Sequence, residues 1–395
     1  MERIGIFGGT FNPPHLGHIQ AAREALSALE LDRVLLVPTH ISPHKELPAD
    51  SPAAEQRLRM LQLAVEQVPG LQVSDLELNR EGISYTFDTV TQLKKLYPRA
   101  QLVLMMGSDM FLSFPTWRNP ETILENAELA VFYRGDKAEI SAVAAQKAAL
   151  EARGARIRLA ENPVVPISST QLRRLLAFQC AEEFLPGGVG AYIRSHGLYN
   201  SNAQWRALEE ARLQQVVVSL LKPSRVAHVL GCRDTAVALA RRYGADETDA
   251  ARAGLLHDIT KALDGPLQLT LCRGYGKILD DFSKKYPKTL HALTGSLVAE
   301  RIFGENEAVV SAIRWHTTGR AHMSLLEKIV YVADYMEPNR DFPGVDRLRE
   351  LAYTDMDAAL KLGLEMTMVH VEGQGSAVSP ESRQALAWLN AHMKG

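Results

Sequence analysis

The sequence predicts a doubly wound α/β domain with a parallel sheet, followed by an all-helical domain. As far as about residue 200, short apolar runs of strand character alternate with amphipathic stretches of crossover length. Beyond that point strand-like runs almost vanish and helical periodicity takes over. A length of 395 residues with 46% hydrophobic composition is enough for two separate cores. We therefore expect domains at residues 1–200 and 203–395, with a short linker between them.

The first predicted strand, residues 3–7, runs into a turn that reads Gly-Gly-Thr-Phe-Asn-Pro-Pro-His-Leu-Gly-His over residues 8–18. An amphipathic pattern follows, so the turn joins a strand to a helix. Gly8 and Gly9 let a ligand approach the backbone, and the start of a helix presents free N–H groups to an anion. Two imidazoles three residues apart, His15 and His18, lie on one face of that helix. The pattern predicts a phosphate-binding site.

Three further apolar runs, at residues 33–38, 102–107 and 129–133, have the character of central parallel strands. In a doubly wound sheet ligands bind at the carboxyl ends of the strands. The candidate functional residues in these positions are Thr10 and His18 after the first strand, His44 and Lys45 after the second, Gly107 and Asp109 after the third, and Arg134 after the fourth.

A second candidate anion site begins at residue 166, where the sequence reads Pro-Ile-Ser-Ser-Thr-Gln-Leu-Arg-Arg. Ser168, Ser169 and Thr170 supply side-chain oxygens and N–H groups at a helix start, and capping alone would explain such a run. Arg173 favours the functional interpretation. Arginine in a first turn opposes the helix dipole, and a bound anion explains it better.

Together the two segments resemble the paired nucleotide-binding signatures of the nucleotidyltransferase superfamily, Thr/His-x-Gly-His and Ile-Ser-Ser-Thr-x-x-Arg. The chain has no Walker-type loop in these positions. Within the superfamily, residues 1–200 most resemble the bacterial nicotinate mononucleotide adenylyltransferases. Asn12 stands where many of those proteins carry Asp, and both residue types suit a tight turn. The resemblance rests on Pro-His-Lys at 43–45, Ser-Tyr-Thr at 84–86 with Asp88, Gly-Ser-Asp at 107–109, Trp117, Phe-Tyr-Arg at 132–134 and the segment 192–199.

The resemblance implies transfer of AMP from ATP to nicotinate mononucleotide, with Mg²⁺ bridging phosphate oxygens. Three residues are assigned to the triphosphate as catalytic groups, His15, His18 and Arg173, with His18 nearest the reacting phosphorus. The full set of ATP-binding candidates is Gly8, Gly9, Thr10, Phe11, His15, His18, Ser168, Ser169, Thr170 and Arg173. The candidates for the mononucleotide are Lys45, Tyr85, Thr86, Asp88, Gly107, Asp109, Trp117 and Arg134.

The helical half carries imidazoles and carboxylates on separate predicted helices. A single histidine is more often a core or surface residue than a ligand. The adjacent pair His257-Asp258, at the end of an apolar helix, would be costly to bury unless it coordinates or pairs with something. The pattern therefore predicts a metal site. Its candidate ligands are His228, His257, Asp258, His291, His316 and Asp334.

The order His, His-Asp, His, His, Asp resembles the HD-domain phosphohydrolases, in particular the branch that holds two metals. The segments at 316–319 and 333–338, with Arg340, resemble the HD hydrolases that cleave diadenosine tetraphosphate symmetrically. The resemblance implies two divalent metals and a dinucleoside polyphosphate substrate, and it makes Lys261 a catalytic candidate near the substrate phosphates. Thr317 and Arg340 are weaker candidates. The family points to iron, and the ligand types also accept manganese.

Composition narrows the class of protein. A net charge of −2 and a pI of about 6.7 give no sign of a nucleic-acid or anionic-membrane partner. Cys180, Cys232 and Cys272 are isolated, which is typical of a reducing compartment. Without a leader-like N-terminus or a long apolar segment, the sequence predicts a cytoplasmic protein and leaves a homo-oligomer open.

Three alternatives remain at this point. The first domain would also suit another small-acceptor transferase, such as pantetheine-phosphate adenylyltransferase. The second would also suit a module that binds a nucleotide without turnover. A tRNA synthetase fragment is disfavoured because residues 167–170 stand in place of a lysine-rich loop.

Overall fold

The computed structural model describes residues 1–41, 43, 47–48, 50–133, 137–161 and 167–393. The chain forms two compact units, Met1–Asn202 and Ala203–Gly395. Within the described ranges, no helix is both long and apolar enough to cross a bilayer.

The first unit is built on a sheet of six parallel strands in the order β3-β2-β1-β4-β5-β6. This confirms the predicted doubly wound class. The strand order reverses between β1 and β4, and Phe7 of β1 lies between Leu36 of β2 and Met105 of β4. The strands are β1 Arg3–Gly9, β2 Arg33–Pro38, β3 Leu71–Val73, β4 Gln101–Gly107, β5 Ala127–Tyr133 and β6 Ile157–Glu161.

Eight helices connect and cover these strands in the described part of the first unit. They are α1 Leu16–Ala28, α2 Ala54–Val65, α3 Thr86–Leu96, α4 Ser108–Ser113, α5 Pro120–Asn126, α6 Lys137–Glu151, α7 Ser169–Ala177 and α8 Val189–Ser195. Central strand residues such as Ile4, Leu104 and Leu129 are at most 4% exposed, because helices pack on both faces of a parallel sheet. The turns that leave the carboxyl ends of the strands are therefore the places where polar side chains meet a ligand.

The second unit is helical throughout its described residues, which confirms the predicted class. Its helices are α9 Glu210–Leu220, α10 Val226–Tyr243, α11 Glu247–Leu256, α12 Gly265–Gly274, α13 Asp281–Lys285, α14 Leu290–Val298, α15 Glu307–Trp315, α16 Leu325–Met336, α17 Val345–Ala352, α18 Met356–Gly373 and α19 Pro380–His392. Helices α10 and α11 approach closely because Gly254 has no side chain. A Cβ there would lie 2.7 Å from the Cα of Arg233.

Candidate active sites

The turn between β1 and α1 is fixed by the ring of Phe11. This residue has a φ of 43°, and it is 1% exposed. Its ring packs edge-on against Phe7, at a centroid distance of 5.8 Å, and against His18, at 5.0 Å. The buried ring of Phe11 therefore supports His18, and the assignment of Phe11 to ATP binding stays a prediction.

His15 and His18 form a stacked pair, with ring centroids 3.6 Å apart. The backbone N–H of His15 donates to Nδ1 of His18 at 3.2 Å, so the hydrogen of a neutral His18 ring lies on Nε2 and is available to an acceptor. Burial lowers the pKa of His15 to about 4, and burial together with His15 lowers the pKa of His18 well below 6.5. At neutral pH the pair therefore acts through neutral N–H donors.

The two predicted signatures meet in space. The hydroxyl of Ser169 donates to the carbonyl oxygen of Pro13 at 3.2 Å, and Nη1 of Arg173 donates to the carbonyl oxygen of Asn12 at 2.7 Å. Ser168 caps α7 by accepting the N–H of Gln171 at 3.2 Å. These bonds hold the start of α7 against the turn that precedes α1. The bonded residues are 156 and 161 positions apart in sequence.

Two adjoining cavities open at the carboxyl ends of β1 and β4, where the strand order reverses. The first, the triphosphate cavity, has a volume of about 380 Å³, and the second, the acceptor cavity, about 390 Å³. Gly8 leaves its part of the acceptor-cavity wall as exposed backbone, because an added Cβ there would meet no atom within 4 Å. The triphosphate cavity is lined by Gly9, Thr10, His15, His18, Ser168, Ser169, Thr170 and Arg173, and the acceptor cavity by Gly8, Gly9, Thr10, Thr86, Gly107 and Trp117.

In the second unit four buried imidazoles form a row. The ring centroids of His228 and His257 lie 5.3 Å apart, those of His257 and His316 5.1 Å, and those of His316 and His291 5.2 Å. None of the four residues is more than 7% exposed. They come from the ends and faces of α10, α11, α14 and α15, as the sequence predicts for a metal site.

Asp258 lies between the two halves of this row. Its Oδ2 atom is 3.7 Å from Nε2 of both His228 and His257. Its Oδ1 atom is 3.6 Å from Nε2 of His291 and 3.9 Å from Nε2 of His316. Asp334 adds an oxygen beside His228 and His257, with Oδ1 3.1 Å from Nε2 of His228 and 3.8 Å from Nε2 of His257. Among the described residues, two groups have ligand atoms within 4.8 Å of one another, His228 with His257 and Asp334, and His257 with Asp258 and His316.

The hydrogen-bonding pattern of the cluster fits a divalent cation. Nδ1 of His257 donates to the carbonyl of Gly254, and Nδ1 of His316 donates to that of Ile313, both at 2.7 Å. A carbonyl only accepts, so the Nε2 lone pairs of both rings point into the cluster. Burial keeps both rings neutral by lowering their pKa, to about 4 for His316. Lone pairs and carboxylates that converge in this way suit imidazole-binding metals.

Glu337 orients the first ligand of the row. Its Oε1 atom lies 3.1 Å from Nδ1 of His228, and Glu337 is 1% exposed. Its Oε2 atom accepts from the backbone N–H and the side-chain amide of Asn339 at 2.7 and 2.8 Å. Gly231 makes room for this carboxylate, because a Cβ there would overlap Oε2. A carboxylate behind a metal-binding histidine fixes its tautomer and its orientation.

Three cationic side chains border the cluster. Arg225 forms an ion pair with Oδ2 of Asp258. Nζ of Lys261 lies 2.8 Å from Nε2 of His291, and Nη2 of Arg340 lies 2.7 Å from Oδ1 of Asp334. Thr317 adds a hydroxyl within hydrogen-bond distance of His291 and His316, at 3.2 and 3.1 Å. The border is suited to an anionic ligand.

Comparisons with known proteins match the two units separately. The family model of cytidylyltransferase-like proteins covers residues 6–175. A probable nicotinate-nucleotide adenylyltransferase of Pseudomonas syringae pv. tomato is 40% identical over 213 residues, which are 51% of this chain and 95% of that protein. The chain belongs to the nicotinate-nucleotide adenylyltransferase family. A second relative, from Aeromonas hydrophila, is 40% identical over 208 residues, 50% of this chain and 96% of its own length.

The other half of the chain, which these adenylyltransferases leave unmatched, contains an HD domain at residues 225–339. A solved structure from Clostridium acetobutylicum, described as a predicted HD superfamily hydrolase involved in NAD metabolism, is 37% identical. The match covers 47% of this chain and 99% of that one, with a TM-score of 0.46. An HD domain implies binding of divalent metal.

Some predicted residues of the adenylyltransferase domain lie outside both cavity walls. The guanidinium of Arg118 lies 4.7 Å from the ring centroid of Tyr85, which is a packing role. Asp88 and Asp109 also line neither cavity, and Asp109 is exposed. Lys45 and Arg134, together with His44, fall outside the described residues.

Two buried charged residues at this site were not predicted. Arg57 is 1% exposed, and its Nη1 donates to the carbonyl oxygen of Thr10 at 2.7 Å. Glu77 lines the acceptor cavity and accepts from the hydroxyl of Thr89 at 2.7 Å, and burial raises its pKa. A signal existed for Arg57, because it lies at the helical spacing of the apolar face formed by Met60, Leu61 and Ala64.

Asn12 uses both ends of its side-chain amide. Nδ2 donates to Oγ of Ser51 at 2.8 Å, and Oδ1 accepts from the hydroxyl of Tyr199 at 2.7 Å. Its backbone carbonyl accepts from Arg173. An amide both donates and accepts, whereas an ionised Asp at this position would only accept.

Proposed function

We propose that the first domain transfers AMP from ATP to nicotinate mononucleotide and that the second hydrolyses dinucleoside polyphosphates with divalent metal. For the first activity, the contact of Ser169 and Arg173 with the turn at residues 12–13 carries the proposal. The starts of helices α1 and α7 both border one cavity, and helix starts are suited to bind anions. The family relationship supports nicotinate mononucleotide as the acceptor.

The transfer requires little covalent chemistry from the protein. The phosphate of the mononucleotide is already an anionic nucleophile at neutral pH, so no general base is needed. One of its oxygens bonds to the α-phosphorus of ATP while the bond from that phosphorus to the bridging oxygen of pyrophosphate breaks. The domain must align two anions that repel each other and stabilise the leaving group.

The residues of the triphosphate cavity suit this task. The Nε2 hydrogen of His18 is free to bind a phosphate oxygen, because Nδ1 is occupied by the backbone of His15. Arg173 brings a permanent positive charge to the wall. Among the described residues, Nδ1 of His15 is buried without a hydrogen-bond partner. We assign these groups to the phosphate chain of ATP, to which bound Mg²⁺ would add further positive charge.

The acceptor cavity suits the flat pyridine ring. Trp117 lines it and packs against Phe114 at a centroid distance of 5.4 Å, which holds the indole in place. The cavity shares Gly9 and Gly107 with the triphosphate cavity, so a mononucleotide bound there has its phosphate near the ATP. An aromatic face beside backbone amides is suited to a carboxylated heterocycle.

An acceptor panel tests the first activity. The full-length protein is incubated with ATP, Mg²⁺ and one of nicotinate mononucleotide, its amide or phosphopantetheine, and pyrophosphate release is measured. We expect the highest kcat/KM with nicotinate mononucleotide. Activity with phosphopantetheine alone would refute the assignment.

For the second activity, the shared carboxylate of Asp258 carries the proposal. We assign His228, His257 and Asp334 to one metal, His291 and His316 to the other, and Asp258 to both. Two bound metals supply an activated water and neutralise the attacked phosphate. Iron is our first choice and manganese the second, since both accept imidazole and carboxylate ligands.

The cations around the cluster would hold the substrate. Arg225, Lys261 and Arg340 each contact a cluster residue and can also bind phosphate oxygens. With diadenosine tetraphosphate, a water oxygen bonds to one central phosphorus atom while its bridging bond to the other central phosphate breaks. The products are two molecules of ADP.

The products distinguish this activity from its rivals. Full-length protein loaded with Mn²⁺ or Fe²⁺ is incubated with diadenosine tetraphosphate, and the nucleotides are separated by chromatography. We expect ADP alone. Formation of ATP with AMP would refute symmetrical cleavage, and metal-dependent binding without products would indicate a sensing module. The variant Asp258→Asn, which removes the shared charge, should abolish turnover.

A further inference from the structure

A large cavity of the HD domain lies beside the metal-ligand cluster, and of its lining residues only Arg340 has a role in the proposed hydrolysis. Its volume is about 640 Å³, within the range of small-molecule sites. We call it the aromatic cavity. It is lined by Tyr335, Arg340, Phe342, Pro343, Glu365, Met366, Val369 and His370.

Arg340 joins this cavity to the cluster. Its Nη2 and Nε atoms donate to the carboxylate and the carbonyl of Asp334, at 2.7 and 2.9 Å. The backbone at this point is held in place, because Nη2 of Arg349 donates to the carbonyl oxygens of Arg340 and Glu337, at 2.8 and 3.1 Å. Arg340 therefore contacts both the cavity and Asp334, a proposed metal ligand, and the hydrogen bonds from Arg349 fix the backbone of this part of the cavity wall.

The lining suits a flat, partly apolar ring. Tyr335 and Phe342 are partly buried and pack edge to face at a centroid distance of 5.2 Å. Val369 is 71% exposed, and the thioether of Met366 adds a polarisable surface. Glu365 and His370 are exposed at the same cavity and offer polar atoms to the edge of a base. Aromatic faces with an adjacent arginine are a common setting for a nucleobase and its phosphate.

We propose that the aromatic cavity binds the nucleoside end of the substrate, a purine nucleoside with a 5′-phosphate chain. The base packs against Phe342 and Tyr335, and Arg340 binds the first phosphates of the chain as it passes to the metal cluster. This assignment rests on the proposed phosphohydrolase activity and extends it, because it names the part of the domain that selects a nucleotide over a simple phosphate ester.

Two conservative variants of the full-length, Mn²⁺-loaded protein test the cavity. Phe342→Leu keeps an apolar side chain and removes the aromatic face, and Val369→Gln changes an exposed wall residue without touching the core. We expect each to raise KM for diadenosine tetraphosphate, about tenfold for Phe342→Leu, since stacking stabilises each bound base. kcat should stay unchanged, because the interaction is made equally in the ground and transition states.

Ile278→Gln is the matched control for Val369→Gln, because Ile278 is 91% exposed and does not line the cavity. It should leave both constants at wild-type values. An unchanged KM in both cavity variants would overturn the proposal. A loss of kcat with an unchanged KM would also overturn it.

A photolabel separates failure of the cavity from failure of the proposed activity. 8-Azido-ADP is irradiated with the wild-type protein and Mn²⁺, and labelled peptides are identified by mass spectrometry. We expect HD-domain labelling in residues 335–370, reduced in Phe342→Leu. Labelling with no turnover would refute the phosphohydrolase and support the cavity. Turnover with HD-domain labelling confined to other segments, or with none in that domain, would refute the cavity alone.

Discussion

Oε1 of Glu337 lies 3.1 Å from Nδ1 of His228, while Nε2 of the same ring faces Asp334 at 3.1 Å. The imidazole is thus held between a buried carboxylate and the metal-ligand cluster. We expect Glu337→Gln to lower metal affinity about 10- to 100-fold, the usual effect of losing such a partner. The measurement is metal content after dialysis against graded chelator, with circular dichroism to check the fold. Glu307→Gln, at an exposed glutamate, is the control and should bind metal normally.

The position of the Glu337 carboxylate can be disturbed without removing any polar group. A Cβ at Gly231 would overlap Oε2 of Glu337. We expect Gly231→Ala to weaken metal binding by displacing Glu337 from His228. Gly373→Ala is the control, because its Cβ would meet no atom within 4 Å. If both alanine variants hold metal as tightly as wild type, the orienting role of Glu337 is wrong.

Arg173 should matter for transfer more than its charge alone implies. Its guanidinium bonds the carbonyl of Asn12 and also lines the triphosphate cavity. We expect Arg173→Lys to reduce kcat/KM for ATP, because an ammonium lacks the forked geometry. Arg173→Ala should lower kcat about 10²- to 10³-fold, as the loss of a transition-state contact does. Arg23→Ala, at an exposed position of α1, should have no effect on the same pyrophosphate assay.

His15 makes the stability of the protein depend on pH. Its pKa is about 4 in the folded state against 6.5 in an unfolded chain, so the unfolded state binds more protons between these values. Stability is therefore lost as pH falls from 6.5 towards 4, by about 1.4 kcal/mol for each unit at most. We expect His15→Gln to lose less stability than wild type between pH 7 and pH 5 in urea unfolding. Equal losses in the two proteins would contradict the burial of a neutral His15.

Bound phosphate ions or ATP should oppose the lowering of the pKa of His15 and His18. An anion in the triphosphate cavity favours the protonated form of His15 and His18, which raises their pKa. Saturating ATP should therefore raise the unfolding midpoint more at pH 5.5 than at pH 7.5, after correction for the protonation of ATP itself. An equal ATP effect at both pH values would place the nucleotide away from the histidine pair.

Residue type and spacing were enough to predict the fold class and to bring out His18, Arg173 and the cluster around Asp258. His18, Arg173 and the pair His257-Asp258 stand in short contiguous strings, and helix starts and strand ends have recognisable patterns. Arg57 and Glu337 were missed because their roles come from packing between elements distant in sequence. Tyr85 and Asp109 line neither cavity, and their assignment to the mononucleotide stays a prediction, because a string of residues does not say which way each side chain points.

The hydrogen bond between Asn12 and Tyr199 joins a segment that is synthesised early to one that is synthesised late. The turn at residues 8–18 is among the first segments to emerge, yet its side chain at Asn12 is held by a hydroxyl near the end of the first unit. Arg173 reaches the same turn from a late helix. Nascent chains truncated before residue 199 would therefore lack the hydrogen bond that Tyr199 donates to the side chain of Asn12. We therefore expect a chain that ends before residue 199 to bind ATP more weakly than the first unit with Tyr199 present.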